Sequence, residues 1–284
     1  MLFRSGAKVD RLDVATLLRA PNRPDTVRGA IQGLQVLFGS QGMSVRELMK
    51  QAKLSARTAP FTLAVGRDRS PVQVQQASIE VEPGGPVRAS AAGHALGAPM
   101  NLTVVAGPLA ELLRPETAWP KIEANLRTAL DGDTLHVLAT SGPLQRLIGL
   151  RDVPLTVQAT LPGARASLEG NVGNLAAPTG ARLAARIEID DLSKTATRFS
   201  ASGLPALPVS ASGRVTLGDG EVAVDGLSAE AGKSDAAGRL QIRWRDRPRL
   251  SADLTSRLID ATQWTQPTPN ETPVLDRPIR MPFL

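Results

Sequence analysis

His94 and His136 are the only imidazoles in the 284-residue chain, and there is no cysteine. An acid–base centre built on histidine therefore has two candidates at most. Thiolate nucleophiles, disulfides, zinc fingers and iron–sulfur clusters are excluded. His94 follows Gly93, and His136 stands inside Thr134-Leu135-His136-Val137 with no acid–base partner beside it. Both read as surface or rim histidines. Ser40, in Phe38-Gly39-Ser40-Gln41-Gly42, lacks the spacing of a nucleophile elbow.

Gly232-Lys233-Ser234 has the ending of a phosphate-binding loop. Such a loop needs glycine at position 227, where this chain has Leu227, and it must open a helix; here a strand pattern follows. Asp131-Gly132-Asp133 and Gly218-Asp219-Gly220 offer carboxylates without the ligand spacing of a calcium loop, and read as hairpin turns. The densest basic run is Arg243-Trp244-Arg245-Asp246-Arg247-Pro248-Arg249. A nucleic-acid surface would need more aromatics to stack on, and they make up only 3% of the chain. Most of these arginines fall on the polar side of a strand. A solvated exterior is expected, with contact to anionic lipid headgroups as a lesser use. No enzyme activity, metal, cofactor or nucleic-acid partner is expected.

The elements that carry these residues are mostly strands. Hydrophobic residues reach 42%, with 25 Gly and 22 Pro, so the core is aliphatic and the chain is punctuated by turns. The net charge is 33 − 27 = +6. No apolar run approaches the ~18 residues of a membrane-spanning helix, and the first residues lack the apolar region of a secretory signal. Residues 9–20 read as a short strand or helix, Asn22–Asp25 with Pro21 and Pro24 as a break, and 27–42 as undecided. Ser44, with Glu47 three residues on, predicts a short helix over 44–53 that caps the open end of a sheet.

From Pro60 onward period-two alternation dominates. Val72 and Val74, then Ile79 and Val81, flank polar residues ahead of a Pro83-Gly84-Gly85-Pro86 turn. Residues 121–130 fit a strand or a helix, and the following Asp-Gly-Asp favours a hairpin. Val215 and Leu217 enter a Gly218-Asp219-Gly220 turn, and Val222 and Val224 leave it. Leu240, Ile242 and Trp244 alternate with Gln241, Arg243 and Arg245. The pattern gives one greasy and one wet face.

Two phrases repeat. Gly93, Gly170, Gly213 and Gly238 each sit in a Ser/Asp-x-x-Gly-x-apolar phrase, and Gly-Pro-Leu-x-x-Leu occurs at Gly107 and again at Gly142. The second phrase reads as a helical turn between strands. Repeats of this kind stack hairpins in a quasi-one-dimensional array.

Over roughly 60–284 the order of these phrases resembles the AsmA family of Gram-negative envelope proteins. The matching residues are Gly97-x-Pro99-x-x-Leu102; Leu204-Pro205; Gly213 before a hairpin; Gly232-x-Ser234-Asp235-x-x-Gly238-x-Leu240; Arg247-Pro248-x-Leu250 leading to Leu254-x-Ser256-x-x-Ile259-Asp260; and Leu275-Asp276-x-Pro278-Ile279. The resemblance implies a periplasmic protein held at the inner membrane by an N-terminal helix that this sequence does not contain. It implies no catalytic residues, and an apolar β-groove that carries phospholipid between inner and outer membrane.

The expected fold is therefore mostly β: an elongated, curled antiparallel repeat sheet forming an open β-groove, with a few short helices. About 15 strands at ~4.8 Å spacing would extend on the order of 70 Å. Residues 1–59 form an N-terminal segment, 60–265 the repeat groove and 266–284 a Pro-rich connector. Alternation assigns the groove lining to Val72, Val74, Ile79, Val81, Leu155, Val157, Ile187, Ile189, Val222, Val224, Leu240, Ile242, Trp244, Leu250 and Leu254. The expected partners are phospholipid acyl chains, with membranes at the ends of a longer protein. The alternative is a structural or adhesin-like β-repeat whose apolar face is packed shut.

Overall fold

The computed structural model describes residues 2–13, 27–65, 70–95, 98–112, 122–130, 132–142, 151–174, 180–199, 201–244 and 249–263. The chain begins with β1 (Leu2–Asp13), β2 (Val27–Gln41), α1 (Val45–Lys50), β3 (Lys53–Arg57) and β4 (Phe61–Val65). It continues through β5 (Ser70–Val81), β6 (Pro86–Ala95), β7 (Ala98–Pro108), α2 (Leu109–Leu112), β8 (Ile122–Leu130) and β9 (Asp133–Ser141). Then come β10 (Arg151–Leu161), β11 (Ala164–Asn174), β12 (Ala181–Ile189), α3 (Leu192–Arg198), β13 (Val209–Gly218), β14 (Glu221–Ala231), β15 (Ser234–Arg243) and β16 (Arg249–Thr255).

The described strands join one 16-stranded antiparallel sheet, each but β4 beside its predecessor, with β1 and β16 at the edges. β3 and β4 occupy one position in turn, both lying between β2 and β5. The mostly-β, elongated sheet expected from alternation is thus observed. At ~4.8 Å per step it runs roughly 70 Å. Of residues 27–42, which alternation left undecided, Val27–Gln41 are the long β2. Residues 122–130 are strand, because the turn at Gly132 pairs Leu130 with Asp133. The sheet also crosses the expected division at residue 59 without a break, since β3 pairs β5.

Among the described residues, three short α-helices fill connections. Ser44 caps α1 by accepting the Glu47 N–H at 3.2 Å, and the Glu47 carboxylate accepts the Met43 N–H at 2.8 Å. This is the predicted capping box, one residue displaced on the return bond. The helix does not cover an edge as expected. It lies at the upper end of the strands (the end of Gln41, Val81 and Ser141), touching β2 and α2, whereas the sheet's edges are β1 and β16. The buried Ser40 hydroxyl donates to the Leu48 carbonyl, tethering β2 to α1.

α2 confirms the helical turn expected after Gly107-Pro108. The second copy of that phrase extends into 143–147, outside the described residues. So do residues 14–26, with the predicted break, residues 245–248 of the basic run, and the 266–284 tail. α3 had no counterpart in the sequence reading. Its signal was Asp191, whose side chain accepts the Lys194 N–H at 3.1 Å as an N-cap.

The repeated glycines explain how so broad a sheet curls. Gly170 and Gly238 have φ of 155° and 147°. A Cβ on either would lie 2.1 or 2.0 Å from a carbonyl oxygen of the adjoining strand. Only a residue without a side chain lets the strands approach and coil there.

Candidate functional site

Directly paired residues in an antiparallel ladder share a face, so the register sorts every side chain. One chain of partners runs Leu155–Gly170–Leu183–Val215–Val224–Leu240–Ala252 across β10 to β16. Another runs Ile79–Ala89–Val104–Ala124–Ala139–Val157–Leu168–Ala185 across β5 to β12. Apart from Thr128, the polar residues that the register puts on this face between β5 and β15 stand near strand ends, as Asp133, Ser141 and Ser234 do. Ser141 has a buried hydroxyl with no partner.

Fourteen of the residues assigned by alternation, all but Trp244, fall on this one face. Plain alternation would not have achieved that. Val72 and Val74 are even-numbered while Ile79 and Val81 are odd. A bulge between Val74 and Gln76 advances the register by one and returns them to the same side. A second bulge around Gly226 does the same for Val222 and Val224 relative to Leu227 and Ala229. Trp244 lies one residue past β15, with its N–H bonded to the Gly220 carbonyl, so the ladder does not assign it.

Burial on this face is uneven. Val153 (0% exposed), Val172, Ala181 and Leu183 are buried near the upper ends of β10–β12, with Leu155 and Leu217 packed against them. Val74, Val81 and Leu161, on the same face, are buried as well, at 6%, 2% and 5%, while other positions stay open. Ile79 is 42% exposed, Ile187 44%, Leu254 46% and Leu250 70%. A closed sandwich would bury residues at these positions. The opposite face is polar and carries ion pairs. Arg239 meets Asp225 and Arg243 meets Glu221, each at 3.0 Å; Arg186 meets Glu188 at 2.8 Å. Hydrogen bonding from Gln241, and then the charge of Arg243, hold the Glu221 carboxyl below its ordinary range. Such exposed pairs stabilise little individually.

The histidines lie on the polar side, His94 between Gln73 and Pro99 and His136 between Arg127 and Thr160. Neither faces the apolar surface. His136 and Arg165 line an open hollow of about 580 Å³ at the lower strand ends. Gly232-Lys233 forms the tight turn between β14 and β15, which leaves no helix for a phosphate loop to open. Among the described residues no cluster of His, Asp and Glu could hold a metal, and no helix is long and apolar enough to cross a membrane.

What the arrangement offers chemically is a wide aliphatic surface with few hydrogen-bonding groups, backed by a wetted polar face. Comparison with protein-family models, with curated proteins and with solved structures finds no match.

Proposed function

We propose that the apolar face holds phospholipid acyl chains, in the manner of the AsmA-like envelope proteins whose phrases the sequence resembles. The observation that carries this reading is the exposure of large aliphatic residues on one continuous face, Ile79, Ile187 and Leu254 among them. Removing apolar area from water stabilises a complex by about 25 cal/mol per Å², or ~0.8 kcal/mol per methylene. A few methylenes therefore suffice to hold a chain. The contacts are non-directional, which permits sliding along the sheet. On this reading the protein conducts lipid passively between membranes, works in the periplasm, and needs no catalytic residue or cofactor.

Native mass spectrometry of protein extracted gently from membranes tests this. Co-purified phospholipid is the expected result. Val224→Asp and Ile242→Asp put carboxylates on the face and abolish that lipid while the sheet stays folded. Lipid-free wild-type protein would overturn the proposal.

A further inference from the structure

At the lower strand ends, β10–β11 and β14–β15 are joined by two residues each, Pro162-Gly163 and Gly232-Lys233. β12 and β13 are joined instead by Asp190–Pro208, which contains α3. From the end of β12 this insert reaches back to the start of β9. Arg198 places one guanidinium nitrogen 2.5 Å from the Asp133 carboxylate and donates from another to the Pro162 carbonyl at 2.9 Å. The three strand steps crossed amount to ~14 Å, of which a seven-residue helix spans ~10 Å.

Asp133 pairs with Leu130 and so stands at the end of the apolar face. A lone carboxylate there would oppose apolar contact, and Arg198 neutralises it. Where the insert lies, Leu161 is 5% exposed, and Ala196 and Leu207 are buried. Ile187, one residue pair inward from Ile189 on β12, is open again. The insert is tied down at its two ends by backbone bonds, from Asp190 N–H to Gly163 and from Gly232 N–H to Pro208. Its far point is held by the Arg198 contacts.

We propose that the insert's described residues, Asp190–Phe199 and Ala201–Pro208, are a strap closing the lower rim of the apolar face from β9 to β12, latched by Arg198 on Asp133. Releasing the latch opens that rim to an acyl chain. This rests on the acyl-chain reading above, and the experiment separates the two.

Wild type, Arg198→Glu, Arg198→Gln and the swapped pair Asp133→Arg/Arg198→Asp are mixed with phosphatidylcholine vesicles carrying a fluorescent phosphatidylethanolamine. Lipid uptake rate and amide hydrogen exchange are followed together. Arg198→Glu should speed uptake about tenfold, the scale of one lost charge-assisted hydrogen bond. It should also speed exchange at Thr195 and Ala201 while the β10–β12 ladders stay protected. The swapped pair should restore both. If Arg198→Glu exposes those ladders, Arg198→Gln makes the same comparison. Equal uptake by wild type and an unlatched, folded variant overturns the strap and leaves the acyl-chain reading standing. No uptake by wild type overturns both.

Discussion

A Cβ built on Gly170 would lie 2.1 Å from the carbonyl oxygen of Arg182 on the neighbouring strand. Gly170 also has φ of 155°, which side-chain-bearing residues rarely adopt. Gly170→Ala should therefore lose about 1–3 kcal/mol from backbone strain alone, and more from the clash. Gly132→Ala, at φ of 84° with open space around it, should cost only about 1–2 kcal/mol. Urea titrations of both variants check the order. Equal midpoints would remove the close approach as the reason for the repeated glycine.

The openness of the apolar face predicts an asymmetry between two similar substitutions. Val153→Asp buries a carboxylate at a position with 0% exposure and should unfold the region or cost several kcal/mol. Ile187→Asp, at a 44% exposed position, should cost about 1 kcal/mol or less. Circular dichroism melts distinguish them. Comparable losses at both positions would mean that the face is packed shut.

Asp235 fastens the segment after β16. Its carboxylate accepts the Leu258 and Arg257 N–H groups and the Arg257 Nε–H, each at 2.9 Å, and the Ser256 hydroxyl at 3.1 Å. These donors, the Leu258 N–H first and the Arg257 guanidinium next, hold its carboxyl far below the ordinary range. A carboxyl depressed in the folded state contributes stability above its unfolded pKa, near 3.8, and loses it as pH falls toward the folded value. Exchange at Arg257 and Leu258 should therefore stay slow from neutral pH to about 4 and rise below it, beyond the intrinsic pH dependence. In Asp235→Asn that rise should vanish, because exchange is already fast.

Loss of the Ser44 cap should be small and local. Ser44→Ala removes the acceptor of the Glu47 N–H and should cost about 0.5–2 kcal/mol. Met43 and Val45, 96% and 74% exposed, add no packing that could compensate. Faster amide exchange confined to α1 is the expected signature.

Much of the fold was legible because period-two alternation is a local property. A residue at i and one at i+2 point the same way whatever the rest of the chain does. That suffices for the β13–β14 hairpin, whereas for β8–β9, where Ile122, Leu126 and Leu130 also fit a helix, the Asp131-Gly132-Asp133 turn decided. The Ser44–Glu47 spacing likewise announces α1, since the cap closes within one turn. α3 was missed because its stretch carries no helical stripe long enough to outweigh the surrounding strand pattern. Its Asp191 cap was the single local sign.

The sequence by itself determined that the chain forms strands with one aliphatic and one polar side, without the side chains for thiolate or zinc-finger chemistry. Only the tertiary structure decided that Val72, Val74, Ile79 and Val81 share a face, because a bulge is defined by the partner strand. It alone placed Arg198 on Asp133, residues that only the folded ladder brings together. It also decided that the apolar face stays partly uncovered. Burial depends on what lies opposite a residue in space, and alternation along a strand carries no information about that.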